Sequence, residues 1–302
     1  MTFSQKVKAE LCALPLEQPC CQMAECYGAM LFANVFRADE LRFITGSETV
    51  ALRITALLRA CFGLTLTPEK RREKGRFVLK TQDTTALFHI FNALGHDPDA
   101  AGIQLSRTVL EKSCCRAAFL RGAFLTGGSV ADPEKRYHME FSTPYRGLSA
   151  AFAAFLEDME LVPRVTMRAG QYLVYFKRSE TIEDLLVTVG AQKSALEIMQ
   201  SKVVKEVRNN VNRYVNCETA NITKTIEAAQ TQVQAIRRLA DTGKLAALPE
   251  ALRETAELRL ANPEASLSAL GRLLSPPVGR ATLNYRLKKL VELSMEEKEE
   301  QA

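Results

Sequence analysis

The sequence predicts an α+β protein: one lobe built twice, then a helical linker, then an all-α C-terminal unit. Three observations carry this reading. An apolar segment centred on a Gly-Ala pair occurs twice, at residues 26–34 and 120–128, with Gly28-Ala29 and Gly122-Ala123 94 positions apart. Around each copy the same order of helix-like and strand-like patterns recurs. Residues 192–241 then contain neither proline nor glycine, and three short helical patterns follow them.

The repeated segments are expected to be helices with small residues on one face. Such a face lets a second helix approach closely, so two copies imply two lobes packed across a pseudo-twofold axis. Gly28, Ala29, Gly122, Ala123, Gly127 and Gly128 are the candidate packing residues. In the first lobe (1–100), residues 23–35 read as a buried helix and 41–44 as a short strand. An amphipathic helix at 50–62 stops at Gly63. Strands at 64–71 and 76–81 flank a charged turn, and a helix at 86–94 closes the lobe before Gly95.

The second lobe (101–190) repeats the order. Its motif helix is expected at 117–125, a strand at 137–141, a helix at 148–159, a hairpin of 162–167 and 172–176 around Ala169-Gly170, and a closing helix at 181–189. The linker (191–245) reads as two helices, near 202–215 and 222–239. Asn and Thr between them favour caps and turns over helix. In the last unit (246–302), Pro249 suits a first helical turn and Leu252, Ala256 and Leu260 form one stripe. Ser266 can cap a second helix through Leu267, Leu270 and Leu273. The run from Pro276 to Gly279 forces a turn, and a third helix carries Leu283, Leu287 and Leu290 inward.

Charge narrows the function. The net charge is +5 over 302 residues, but residues 1–190 are nearly balanced, with 23 basic and 21 acidic side chains. Residues 191–289 hold 16 basic against 9 acidic, and the tail from Leu290 has one lysine and five glutamates. The positive excess therefore sits in the C-terminal third, where it can draw in a polyanion. No run of 18 apolar residues and no apolar leader occurs, so no membrane partner is expected. Eight cysteines, two of the pairs vicinal, fit neither a secreted disulfide framework nor a C-x2-C zinc pattern; a reduced cytoplasmic protein without metal or cofactor is expected. His89 reads as packed, and His96 and His138 as lacking an acidic partner. Gly127-Gly128 is not a phosphate loop.

The second and third C-terminal helices with their tight turn match a helix-turn-helix. Its recognition helix would set Arg280, Thr282 and Asn284 against base edges of double-stranded DNA. Arg280 can give two donors to guanine, and Asn284 can pair with adenine. Arg286, Lys288 and Lys289 lie further along, where phosphate contacts anchor without reading. On the linker, Lys205, Arg208, Asn209, Asn212 and Arg213 fall near one helix face and either track DNA or fix interdomain geometry. In the lobes, Lys80, Arg136, Arg164, Arg168, Lys177 and Tyr172 either touch DNA or leave the lobes as a scaffold for a protein partner. A monomer is the expected state.

The twin motifs resemble the LAGLIDADG helices of homing endonucleases. The stretches 119–130, 209–221 and 248–290 are similar to bacterial WhiA regulators, and the resemblance spans essentially the whole chain. It implies a degenerate LAGLIDADG-like saddle joined to a helix-turn-helix. It also implies a role in cell division and chromosome segregation, as in low-GC Gram-positive relatives, with sporulation in filamentous actinobacteria. In active endonucleases the penultimate motif residue is an acidic metal ligand; here Ala33 and Gly127 stand at those positions. Glu25, Asp39 and Asp132 are nearby acids, expected to be scattered surface carboxylates. A chromosome-associated or division-factor scaffold and a residual nuclease are the alternatives.

Overall fold

The computed structural model describes residues 1–16, 18–71, 75–97, 105–106 and 108–300, with backbone alone for 297–300. Residues 72–74 of the charged turn expected around Gly75, and the lobe boundary expected near residue 100, lie outside them; Gly75 itself is described, at φ 57°. The chain forms two compact units, Met1–Glu206 and Val207–Ala302.

The first unit opens with α1 (Phe3–Cys12). Thr2 and Gln5 cap it reciprocally, and Phe3, Val7 and Leu11 are buried at helical spacing. Then come α2 (Pro19–Leu31), β1 (Val35–Phe36), β2 (Leu41–Thr45), α3 (Glu48–Phe62), β3 (Glu69–Arg71), β4 (Arg76–Thr81) and α4 (Thr84–Ala93). Local chemistry sets the ends: Ser47 and Asp83 cap α3 and α4, and Gly63 stops α3 at φ 67°. The second lobe comprises α5 (Ser113–Gly127), β5 (Gly128–Val130), β6 (Met139–Thr143), α6 (Arg146–Glu157), β7 (Arg164–Arg168), β8 (Gln171–Phe176) and α7 (Ser179–Val189). Each lobe has one antiparallel sheet of the same order, β1-β2-β4-β3 and β5-β6-β8-β7. The α+β lobe used twice is thus present, with α1, β1 and β5 added to the elements expected.

The core of this unit is built on α2 and α5, buried from Ala24 to Leu31 and nearly so from Cys115 to Leu125. The helices meet backbone to backbone. A Cβ on Gly28 would lie 2.1 Å from the Phe119 carbonyl oxygen, and one on Gly122 would lie 1.9 Å from that of Glu25. Since 25 corresponds to 119 as 28 corresponds to 122, the contact is the same one made twice. Ala29 and Ala123 take the matching places, their nitrogens 2.8 and 2.9 Å from those added carbons. Gly127 packs on Phe32, and Gly128 sits over Phe124 of its own helix.

Helix α8 (Gln192–Asp241) is continuous for 50 residues and replaces the two linker helices expected. Some of its Asn and Thr side chains bond to their own helix instead of capping a break; in the stretch expected to interrupt it, Asn221 Nδ2 donates to Cys217 Sγ at 3.7 Å. Thr225 Oγ1 donates to Asn221 O at 2.8 Å and Thr231 Oγ1 to Glu227 O at 2.9 Å. Ala195 and Ile198 join the core of the first unit, Ile236 and Leu239 that of the second. The second unit continues with α9 (Glu250–Ala261), α10 (Leu267–Leu273) and α11 (Arg280–Glu300), around Ala256, Leu270, Leu274, Leu283, Leu287 and Leu290. Leu273, read as part of the apolar stripe, is 59% exposed; Leu274, just past the helix end in extended backbone, takes the core position. Among the described residues no helix is long and apolar enough to cross a membrane.

Candidate nucleic-acid interface

A short turn between two packed helices positions this site. Ser266 caps α10 by accepting from Ala269 N at 3.2 Å. Gly271 then lets the turn fold back on the helix: Val278 N donates to Gly271 O at 2.9 Å, and a Cβ on Gly271 would stand 2.4 Å from the Val278 oxygen. Gly279 O accepts from Leu283 N at 3.1 Å and starts α11. Arg259 fixes the entry to α10 from beneath. It is 2% exposed, and its Nη1 donates to Ala265 O at 2.7 Å and Pro263 O at 3.4 Å. Burial pushes its pKa down from the ordinary arginine value.

With Leu283, Leu287 and Leu290 fully buried, the opposite side of α11 is presented outward. Arg280 and Thr282 are exposed and Asn284 is half-buried. Arg280 and Asn284, one turn apart, line a cavity of about 410 Å³ together with Ser266, Ser268 and Lys224. Sequence reasoning misses Lys224 because it belongs to α8, about 56 residues before Arg280. The anchoring residues divide. Lys288 is exposed, Lys289 pairs with Glu292 at 3.4 Å, and Arg286 reaches back to Ala251 O at 3.4 Å, tying α11 to α9. Exposed Tyr285 (70%) and exposed Arg272 on α10 flank this surface, and the sequence pattern alone does not single them out.

On α8, Lys205 lies in the first unit, with Nζ 4.6 Å from the centre of the Tyr137 ring. Arg208, Asn209, Asn212 and Arg213 lie in the second unit, all exposed.

The lobes present a further charged surface. Directly paired residues share a sheet face, and faces alternate along each strand. On the second sheet, Arg164 pairs with Tyr175 and Arg168 with Gln171, so both arginines are on the face away from Phe141, Val174 and Phe176. Tyr172 corrects the expectation: alternation puts it on the core face with Val174 and Phe176. Tyr175 is the outward aromatic, with Lys177 Nζ 5.5 Å from its ring centre. On the first sheet the face bearing Lys80 also bears Arg42, Arg71 and Arg76, with Glu69 as the acid among the β3 and β4 positions there. Arg136 is exposed in the turn before β6.

Several single-residue readings change. Glu25 is not a surface carboxylate: it is 1% exposed and held by Arg53 Nε at 2.5 Å, Arg53 Nη2 at 2.9 Å and Arg121 Nη1 at 3.1 Å. Asp39 is the surface carboxylate expected, its side chain 70% exposed and paired with Arg37 at 3.1 Å, and Asp132 accepts from Glu134 N at 2.9 Å. His138, just before β6, has an acidic partner after all, Glu140 Oε2 at 2.8 Å. His89 is exposed rather than packed, and His96 meets the Tyr27 hydroxyl at 3.0 Å. Ala33 is buried just beyond α2, and Gly127 ends α5.

Two family models match: the WhiA LAGLIDADG-like domain over residues 116–208 and the WhiA C-terminal HTH domain over 211–294. The chain is 35% identical to a "Probable cell division protein WhiA" of Ruminiclostridium cellulolyticum, covering 97% of each chain. It is 38% identical to one of Desulfitobacterium hafniense, covering 100% of this chain and 98% of that one. Among solved structures it resembles full-length WhiA from Thermatoga maritima, with TM-score 0.59, 23% identity, and coverage of 98% and 99%.

Proposed function

The chain belongs to the WhiA family, and on that premise we propose that it is a sequence-specific double-stranded DNA-binding protein without enzymatic activity. Its role is transcription regulation in cell division and chromosome segregation, in the cytoplasm and at the nucleoid, as a monomer. The carrying observation is the tight α10–turn–α11 arrangement, which holds Arg280 and Asn284 one turn apart at the outward start of α11. In a helix-turn-helix that end of the second helix meets base edges, and Arg and Asn are the side chains with two-point geometry for guanine and adenine. Thr282 stands beside them, and Lys288 and Lys224 supply charge for phosphate.

The absence of catalysis rests on the helix ends. Ala33 offers no ligand atom. At Gly127 a Cβ would already stand 2.8 Å from Phe32 Cδ1 and 2.9 Å from the Ser142 oxygen, so there is no room for a carboxylate. Glu25, the nearby acid, is committed to two arginines. A paired divalent-metal centre at the motif ends does not fit these residues.

Arg280→Ala with Asn284→Ala is expected to lower affinity for a selected site by about 2–6 kcal/mol, taking roughly 1–3 kcal/mol per bidentate contact. Non-specific binding should change far less. Selection from random duplexes with sequencing of the retained fraction checks this; an unchanged motif and affinity in the double variant would refute base reading by α11.

A second reading concerns the lobes, whose outward sheet faces gather Arg42, Arg71, Arg76 and Lys80, and Arg164 and Arg168. These suit phosphate contact better than docking of a neutral protein surface. Arg164→Ala with Arg168→Ala should lower the slope of log affinity against log salt by about 2, since each phosphate neutralised by an arginine contributes roughly 0.9. An unchanged slope would assign these faces to a protein partner instead.

A further inference from the structure

The pseudo-twofold relation that sets Gly28 against Gly122 also acts at the other end of the same helices. Cys20 and Cys21 lie in the first turn of α2, Cys114 and Cys115 in the first turn of α5, again 94 positions apart. Neither vicinal pair is a ligand set alone. The fold brings them together, with all four Sγ atoms within 4.8 Å of one another and Cys114 and Cys115 Sγ 4.0 Å apart. Cys115 is buried, Cys20 and Cys21 half-buried, and Cys114 exposed. The cluster therefore lies at the surface end of the helix pair, where an ion can enter.

The geometry discriminates among ligands. Four thiolates around one tetrahedral ion at about 2.3 Å stand roughly 3.8 Å apart, so closing this cluster takes about 1 Å of side-chain movement. An iron–sulfur cluster needs its four sulfurs spread around a larger inorganic core, and calcium or magnesium need oxygen ligands. The electrostatics favour thiolates. All four cysteines lie in a first helical turn, where the helix dipole favours negative charge, and neither N-cap residue, Gln18 or Lys112, caps its helix with a side-chain bond; Gln18 Oε1 instead accepts from Cys21 Sγ at 3.5 Å.

We propose that Cys20, Cys21, Cys114 and Cys115 form a tetrathiolate site for one zinc ion, clasping the two lobes at the N-termini of their central helices. Binding replaces four S–H bonds by four Zn–S bonds and releases four protons to solvent, with no change of oxidation state. The site is independent of DNA recognition by α11.

The test uses full-length protein purified with a phosphine reductant. Elemental analysis should find one zinc per chain. Zinc removed and replaced by Co²⁺ should give the intense visible bands and sulfur-to-metal charge transfer of a tetrahedral cobalt thiolate. Cys20→Ser with Cys114→Ser, one ligand from each helix, should lose both signals, whereas Cys217→Ser, an exposed cysteine on α8, should keep them. Absence of the cobalt spectrum in reduced wild-type protein would overturn the proposal, whatever the folding of the double variant. So would metal uptake indifferent to Cys20 and Cys114.

Discussion

Gly122→Ala should prevent the first unit from reaching its native packing. The added methyl carbon would sit 1.9 Å from the Glu25 carbonyl oxygen and 2.8 Å from Ala29 N, and both are backbone atoms of a buried helix. No rotamer change relieves a clash with backbone, so α2 and α5 must move apart along their most buried stretch. Overpacking of ordinary cores costs roughly 1–3 kcal/mol, and this substitution should reach or exceed the top of that range. Against a total domain stability of about 5–15 kcal/mol, that is enough to lower the melting transition sharply. Gly147→Ala is the control: nothing lies within 4 Å of its added carbon, on the exposed first turn of α6. It should be neutral or stabilising by up to about 1 kcal/mol. Thermal melts followed by circular dichroism would count against the close contact if both alanine variants unfolded with the wild type.

Glu25→Ala is expected to be the next most damaging change. Glu25 receives three hydrogen bonds from Arg53 and Arg121, and Arg53 also donates to the Cys12 and Leu14 carbonyls at 3.1 and 2.6 Å. One carboxylate thus ties α2 to α3, to α5 and, through Arg53, to the segment following α1. Removing it leaves the Arg53 guanidinium, with 4% of its side chain exposed, as an uncompensated buried charge. Breaking one side of such a pair costs about 3–5 kcal/mol, while replacing the whole set by apolar groups costs much less. Glu25→Ala combined with Arg53→Met should therefore recover part of the loss. Urea unfolding of the full chain would show it as an early transition for the single variant and a later one for the double. Equal midpoints for Glu25→Ala and wild type would mean that the carboxylate is not holding these elements.

How much of this was legible follows from the range of the interactions. The elements of α11 and α10 were readable because period and caps are local: Leu283, Leu287 and Leu290 mark one face, and Ser266 its own helix start. The lobe order was readable from the Gly-Ala repeat. Glu25 was misread because its partners lie 28 and 96 residues away, and nothing near it in the chain announces them. Tyr172 was misplaced for want of strand register, which decides the face of every residue on β8. Helix α8 runs through the Asn- and Thr-rich stretch 216–224 against propensity; Asn221, inside it, turns to Cys217 Sγ of its own helix, and Thr225, just past it, to the Asn221 carbonyl. The cysteine cluster did have a signal: both vicinal pairs obey the 94-residue offset of Gly28 and Gly122. A spacing rule for metal ligands within one segment does not look for it.

The reciprocal glycine contact has a consequence for the history of the two halves. In backbone terms the faces of α2 and α5 are still interchangeable, since Gly28 meets Phe119 as Gly122 meets Glu25. In charge they are not. A lobe paired with a second copy of itself would place two Glu25 carboxylates across one seam, with no Arg121 to receive them. Divergence at two duplicated positions, Glu25 against Phe119 and Tyr27 against Arg121, thus gives two helix faces that match in backbone an unlike pairing of charge.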